Sequence, residues 1–405
     1  MKESIYNEII SLDNIQKAYF EVTEKLTVKG LNNSYSGVDN FKLDDSDFNI
    51  GEYLEIVREE LLSKNELIPA SCHEIPKRNG GNREVYIYSI KDRVKAQAIS
   101  RMLEPLLEKV YSPFLFSYRS NYPSHLAARS AVRRYHRNFG KDHVIVIDLK
   151  QYSDNIDREI LRSQLIELKL EKEVLNLIDL FLNQKIVKDK KIRLLKEGLV
   201  QGVPLVAQFA NLYLNKIDWY VGKKVSFYRR VGDDLIIFDK DENKVKEIFN
   251  YLTPELNKLK LELSASKTKQ IKNDQDFEYL GYLFSDNKIA ISKSGESKIY
   301  TELRRVLRYY PSSEYKKIKL LSKKMFFGSE AIHYYLKNTV DHYRFVDDYK
   351  QVKRISEKIF HILTKYFFST YSEKNRRLTN GLCKSLKIPS FYKLYSYYHN
   401  ARNKK

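Results

Sequence analysis

Two places in the sequence put carboxylates where a buried segment ordinarily avoids them. Asp148 closes the apolar run Val144-Ile145-Val146-Ile147, and Asp233 and Asp234 follow Gly232 in a short gap between Phe227-Tyr228 and the run Leu235-Ile236-Ile237-Phe238. An apolar strand buried on both faces has no use for a charge at its tip unless that charge is paired or metal-bound. A solvated hairpin turn would also use Gly and Asp, and for an isolated Gly-Asp-Asp that is the better reading. Read together, three hard carboxylates at one sheet edge suit two Mg²⁺ ions about 3.5–4 Å apart, with Mn²⁺ as a substitute. The chemistry of such a pair is phosphoryl transfer between nucleotides, in which a hydroxyl is activated and the departing pyrophosphate is stabilised. The 8 His form no ligand-like pair and Cys72 and Cys383 are far apart, which points away from a zinc site and from a disulfide framework.

These acids need a sheet to hold them, and the surrounding pattern supplies one. Between residues 143 and 285, short apolar strands alternate with helical patterns over 158–170, 205–221 and 242–259, which predicts an α+β region with hairpins and covering helices. Before it, the basic turn Lys77-Arg78-Asn79-Gly80-Gly81-Asn82-Arg83 leads into the alternating Glu84-Val85-Tyr86-Ile87-Tyr88, a hairpin signature. After it, residues 293–405 are helical in pattern, basic and rich in Tyr. The formal net charge is +20, from 72 Lys+Arg against 52 Asp+Glu, so polyanions are the first partners to consider; a compositional bias with a solvated surface explains the same surplus. The opening MKESIYNEII lacks a signal-peptide run and no apolar stretch reaches membrane-spanning length, so a cytoplasmic protein without membrane contact is expected.

The ordered set of segments between residues 36 and 283 resembles the reverse-transcriptase domain shared by group II intron proteins, retrons and related bacterial enzymes. Gly37-Val38-Asp39 is similar to an early GxD element, Ile75 to Arg83 with Ile90-Lys91-Asp92-Arg93 to the fingers motif, and Phe116-Ser117-Tyr118-Arg119 to the SxGFR element. Asp148 with Tyr152-Ser153-Asp154-Asn155-Ile156 resembles motif A, Gly198 to Pro204 with Ala210-Asn211 resembles motif B, and Val231-Gly232-Asp233-Asp234 resembles motif C. Leu263 to Thr268 and Phe277-Glu278-Tyr279-Leu280-Gly281 are similar to motifs D and E. The resemblance implies a right-hand polymerase: an N-terminal extension and fingers over residues 1–140, a palm with an antiparallel sheet over 141–285 and a helical, basic thumb over 286–405. It implies RNA-templated addition of dNTPs to a growing DNA. Asp148, Asp233 and Asp234 would hold the metals, Lys77 and Arg83 would grip the triphosphate, and Tyr152, Ser153, Gln201 and Gly202 would line the nucleotide. Lys267 would be a proton donor to pyrophosphate.

Three departures matter. The family's motif A usually carries an aromatic ring five positions after the aspartate, where it blocks a ribose 2′-hydroxyl; here that position is Ser153, with Tyr152 one step earlier unless a bulge re-registers it. Relaxed sugar selectivity is therefore expected. Val231-Gly232 replaces the usual tyrosine-led approach to the acids, as in many RNA-dependent RNA polymerases, which makes RNA polymerisation the nearest competing activity. Motif B has Val200 where proline is common. The absence of endonuclease and RNase H signatures resembles bacterial defence-associated reverse transcriptases, which implies protection against phage with a non-coding RNA as template. A group II intron or retron relative, and an RNA-binding scaffold without catalysis, are the rival readings. The tail from Tyr392 to Tyr398 offers hydroxyls for a protein-primed start, while a docked aromatic tail is the plainer reading.

Overall fold

The computed structural model describes residues 4–28, 38, 49–76, 82–265, 268–308 and 323–403. It is α+β and divides into two compact units, each assembled from separate stretches of chain: residues 1–27, 32–123 and 147–268 form one, and residues 28–31, 124–146 and 269–405 the other. Among the described residues no helix is long and apolar enough to cross a membrane.

In the first unit the strands Ala70–Pro76 and Asn82–Ile87 form the antiparallel hairpin that the alternating pattern predicts, in a register that sets Ile75 opposite Arg83. Lys185–Lys188 adds to it in parallel, and Lys191–Leu194 closes the four-stranded sheet. Helix Ile90–Val110 begins at Ser89, whose hydroxyl accepts from the Asp92 amide. Asp92 and Lys95 are buried on that helix, and Lys95 Nζ lies 3.0 Å from Asp92 and 2.5 Å from Glu60. Burying those charges is tolerable only because they meet one another. The helix packs on Pro204–Tyr213, whose N1 proline has its φ already set for a helix start. The sequence pattern over 205–221 reads as one helix, yet the chain forms two, Pro204–Tyr213 and Asn215–Lys224. At the break Asn215 turns its amide to the Val110 carbonyl (3.0 Å) and its Oδ1 to the Ser112 amide (2.8 Å), a tertiary demand that periodicity does not carry. Helices Arg158–Glu167 and Glu242–Lys258 begin at Asp157 and Asp241, each accepting from amides of the first turn.

In the second unit His143–Val146 pairs antiparallel with Lys269–Lys272. The strands Phe277–Tyr279, Tyr282–Ser285 and Lys288–Ile291 make a small antiparallel sheet. Phe277 and Phe284 stack at 4.5 Å between ring centres, and Tyr135 from helix Ser124–Arg137 meets both edge-on at 5.8 and 5.2 Å. The remainder is helical: Lys293–Arg308, Lys323–Tyr343, Tyr349–Phe368, Glu373–Ser385 and Phe391–Asn403. The C-terminal helix docks through Phe391 and Tyr395, each 1% exposed, whereas Tyr397 stands in solvent.

Candidate active site

The Gly-Asp-Asp segment is a tight hairpin. Phe227–Val231 and Asp234–Asp239 pair antiparallel with Val231 opposite Asp234, leaving Gly232 and Asp233 as the two turn residues. Gly232 has φ +65°, and a Cβ placed there would meet nothing within 4 Å. Glycine is therefore required by the backbone twist of the turn and not by lack of room. Leu235, Ile236, Ile237 and Phe238 are at most 1% exposed, so the strand behind the turn is buried on both faces, as its unbroken apolar run predicts.

Asp148 arrives beside this turn from its own strand, His143–Asp148. The amide of Leu149 donates to the Asp233 carbonyl at 3.4 Å. On the other side the Asp148 carbonyl accepts from the Ser264 amide (2.9 Å) and the Lys150 amide donates to the Glu262 carbonyl (3.0 Å). The backbones carrying Asp148 and Asp233 are thus joined directly, and all three aspartates are half-buried at this edge.

A residue outside the recognised motifs fixes the turn from beneath. Arg230 is fully buried and spends its whole guanidinium on fixed partners. Nε donates to both Asp218 oxygens (2.8 and 3.0 Å), and Nη2 to Asp218 Oδ2 (2.7 Å) and the Asn211 carbonyl (2.8 Å). Nη1 donates to the Gly232 carbonyl at 3.0 Å, inside the turn itself. Tyr228 donates to Asp218 Oδ1 at 2.7 Å. Burial works against the charge of Arg230, but the Asp218 carboxylate more than offsets it and holds the guanidinium pKa above its usual range. The signal available in the sequence was the pair Arg229-Arg230 one residue ahead of the turn, in a strand that otherwise reads Phe227-Tyr228 and Val231.

The residues expected to line the nucleotide fall on a loop that wraps the motif A turn. Gln151 adopts a left-handed conformation (φ 47°) and leads into a short 3₁₀ turn, Tyr152–Asp154. Tyr152, expected beside the nucleotide, is instead a core residue: it is 5% exposed and its hydroxyl donates to the Ala210 carbonyl. Burial holds that hydroxyl protonated well above its usual range. The re-registering bulge therefore does not bring its ring to the Ser153 position. Ser153 is half-buried, and its carbonyl accepts from the Leu199 amide at 3.1 Å. Gly198 has φ +79°, and a Cβ on it would lie 2.5 Å from the Asp154 carbonyl oxygen. Gln201 Nε2 donates to Asp154 Oδ1 at 3.3 Å, and Tyr88 donates to the Val200 carbonyl at 2.6 Å. Gly202, at φ +127°, passes so close to the strand Asn82–Ile87 that a Cβ would lie 3.1 Å from the Tyr86 carbonyl. Ser153, Gln201 and Gly202 thus share one loop cluster. Arg83 is exposed on the strand Asn82–Ile87. Lys77 and Lys267 lie outside the described residues.

The donors at the turn suit a hard divalent cation, since they are carboxylates at a half-buried edge. Among the described residues, however, no group of three or more His, Cys, Asp or Glu side chains closes on a single metal position.

A paired-carboxylate edge on an α+β sheet, flanked by a glycine-bearing loop, defines the class of nucleotidyl-transferring polymerases. The chain belongs to the reverse transcriptase family: residues 75–284 match the family described as reverse transcriptase (RNA-dependent DNA polymerase). With membership comes the family's right-hand polymerase fold. The chain is 26% identical over 175 residues to Protein YkfC of Escherichia coli (strain K12), a match covering 42% of this chain and 46% of that protein. It thus spans less than half the length of that curated relative. Among solved structures it is similar to telomerase from Candida albicans in complex with a TWJ fragment of telomeric RNA (TM-score 0.45, 13% identity, 86% of this chain and 70% of that one). It is also similar to apo telomerase from Candida tropicalis (TM-score 0.49, 13% identity, 83% and 64%).

Proposed function

We propose that this chain is an RNA-directed DNA polymerase that adds dNTPs at a 3′-end, with Asp148 and Asp233 as the principal cation ligands and Asp234 completing the negative field. The observation that carries the reading is the direct backbone link between the Asp148 strand end and the Asp233 turn, in a member of this family. Bound there, Mg²⁺ or Mn²⁺ would lower the pKa of the attacking 3′-hydroxyl and neutralise charge on the departing pyrophosphate. Arg230 keeps the Asp233 turn at a set height relative to the motif B helix, and the loop from Gly198 to Gly202 sets the distance between motif A and the fingers-side strand. Arg83 and Lys77 would meet the triphosphate, and Lys267 would protonate the leaving group, as the family likeness implies. In this reading residues 1–140, 141–285 and 286–405 serve as fingers, palm and thumb. The template is RNA, with a non-coding RNA and a role in defence against phage as the finer proposal, supported by family likeness.

The test is extension of a labelled primer on an RNA template with Mg²⁺, comparing dNTPs with rNTPs and wild type with Asp233→Ala/Asp234→Ala. Extension by dNTPs that disappears in the variant supports the reading; extension that survives it overturns it. RNA that co-purifies with the protein, sequenced and supplied as template, together with phage plating of cells carrying the same variant, addresses the finer proposal.

One observation favours a second activity. With the Tyr152 ring committed to the core and Ser153 at the gate position, motif A presents no aromatic barrier to a 2′-hydroxyl. Ribonucleotide incorporation is the expected consequence, and Ser153→Phe should suppress the rNTP lane while sparing the dNTP lane. Use of rNTPs alone would identify an RNA polymerase.

A further inference from the structure

In the second unit, helices Lys293–Arg308 and Tyr349–Phe368 lie alongside one another and enclose a groove of about 540 Å³. Its floor is apolar, from Leu307 and Ile362, and Tyr366 and His361 add rings to its wall. Its rim is cationic, from Arg304, Arg308, Lys358 and Lys365. None of these four has an ion-pair partner among the described residues. The carboxylates of the first helix are engaged elsewhere, Glu296 with Arg354 at 2.6 Å and Glu302 with Arg305 at 2.7 Å. The second helix carries one carboxylate, Glu357, which does not line the groove. Lys358 instead lies over the Tyr300 ring, 4.5 Å from its centre.

Four like charges around one depression repel one another, and a solvated surface would ordinarily intersperse acids among them. A polyanion resolves the repulsion. The apolar, ring-bearing floor narrows the choice, because a duplex presents phosphates outward with its bases stacked away, whereas an unpaired strand presents phosphates and base faces together. The volume lies within the range of small-ligand pockets and is wide enough for a base with its sugar. We propose that this groove binds a single-stranded segment of nucleic acid, the phosphates meeting Arg304, Arg308, Lys358 and Lys365 and a base lying against Leu307, Ile362 and Tyr366. The site is built within one unit and shares no residue with the carboxylate edge.

The experiment measures binding and not extension, so its result stands apart from that of the primer assay. Wild type and Arg304→Glu/Arg308→Glu/Lys365→Glu are titrated with labelled single-stranded RNA, the same sequence as DNA, a blunt duplex, and an abasic strand of equal length, across a range of salt. The three side chains are exposed, so the variant should fold, which circular dichroism checks. Each phosphate contact on a single strand contributes about 0.7 to the slope of log K against log salt, so losing three should flatten the slope by about 2. The expected result is single-strand affinity reduced at least about tenfold near physiological salt, with duplex affinity far less affected and the abasic strand binding wild type more weakly than the base-bearing one. The larger loss, RNA or DNA, identifies the strand bound. Unchanged single-strand affinity and slope would overturn the proposal. So would an equal loss for duplex, or abasic binding as tight as that of the intact strand.

Discussion

Replacing Arg230 with methionine removes five hydrogen bonds in one step, three to Asp218, one to Asn211 and one to Gly232. Methionine fills similar space, so the cost is electrostatic. It leaves Asp218 as a buried carboxylate with Tyr228 still donating to it, and breaking a buried pair from one side costs about 3–5 kcal/mol. Removing both charges, as Arg230→Met/Asp218→Leu, should return much of that stability, because an apolar replacement of a buried pair is often near neutral. The Gly232 carbonyl nevertheless stays without its donor in the double variant, and the Asp233 turn loses its tie to the motif B helix. A misplacement of about 1 Å at reacting groups costs roughly a hundredfold in rate. Urea denaturation and primer extension on the same samples should therefore separate the two effects: the double variant regains stability over the single one but not activity. A single variant within about 1 kcal/mol of wild type would refute the cost assigned to burial. Full activity in the double variant would refute a positioning role for Arg230 at the turn.

Three further outcomes follow from the geometry. Gly198→Ala places a Cβ 2.5 Å from the Asp154 backbone oxygen, so the loop must shift; the expected effect is a raised KM for nucleotide that exceeds any fall in thermal stability, read by steady-state extension and melting. Gly232→Ala meets no atom and carries only the left-handed backbone cost of about 1–2 kcal/mol, so a Tm shift larger than that of Gly198→Ala would contradict the assignment of space at the two sites. Asp239 accepts from the Ser226 amide at 2.8 Å and the Asp241 amide at 3.0 Å; burial opposes its charge, but these donors outweigh that and hold its pKa below the usual carboxylate value. Its contribution is therefore present at neutral pH and lost as pH falls through the lowered value. Asp239→Asn should cost about 1.5–3 kcal/mol at pH 7, with the difference from wild type vanishing in strong acid, as chemical denaturation at several pH values will show.

What could be read in the sequence was whatever depends on local pattern. The apolar runs before Asp148 and after Asp234 specified buried strands, and Gly232 marked the turn because its conformation is a property of the residue itself. What depends on contacts distant in sequence was hidden. Arg230 reads as a surface charge until Asp218, on the preceding helix, is seen to receive it. Tyr152 reads as a neighbour of Ser153 on the substrate side until the left-handed turn at Gln151 directs it to Ala210. The break at Leu214 follows from what Asn215 must satisfy at Val110 and Ser112, which no helical periodicity contains.

The composition of the second unit has a consequence for synthesis on the ribosome. Helix Ser124–Arg137 and the start of strand His143–Asp148 are made early, yet apart from residues 28–31 the rest of their unit begins at Lys269. At ordinary elongation rates residues 147–268 take on the order of ten seconds to emerge. During that interval Tyr135, Val144 and Ile145, all fully buried in the finished protein, have no completed unit to enter. Nascent chains halted near residue 268 should therefore engage chaperones through the 124–146 segment, and a few dozen residues of further elongation, enough to deliver Phe277 and Phe284, should release them.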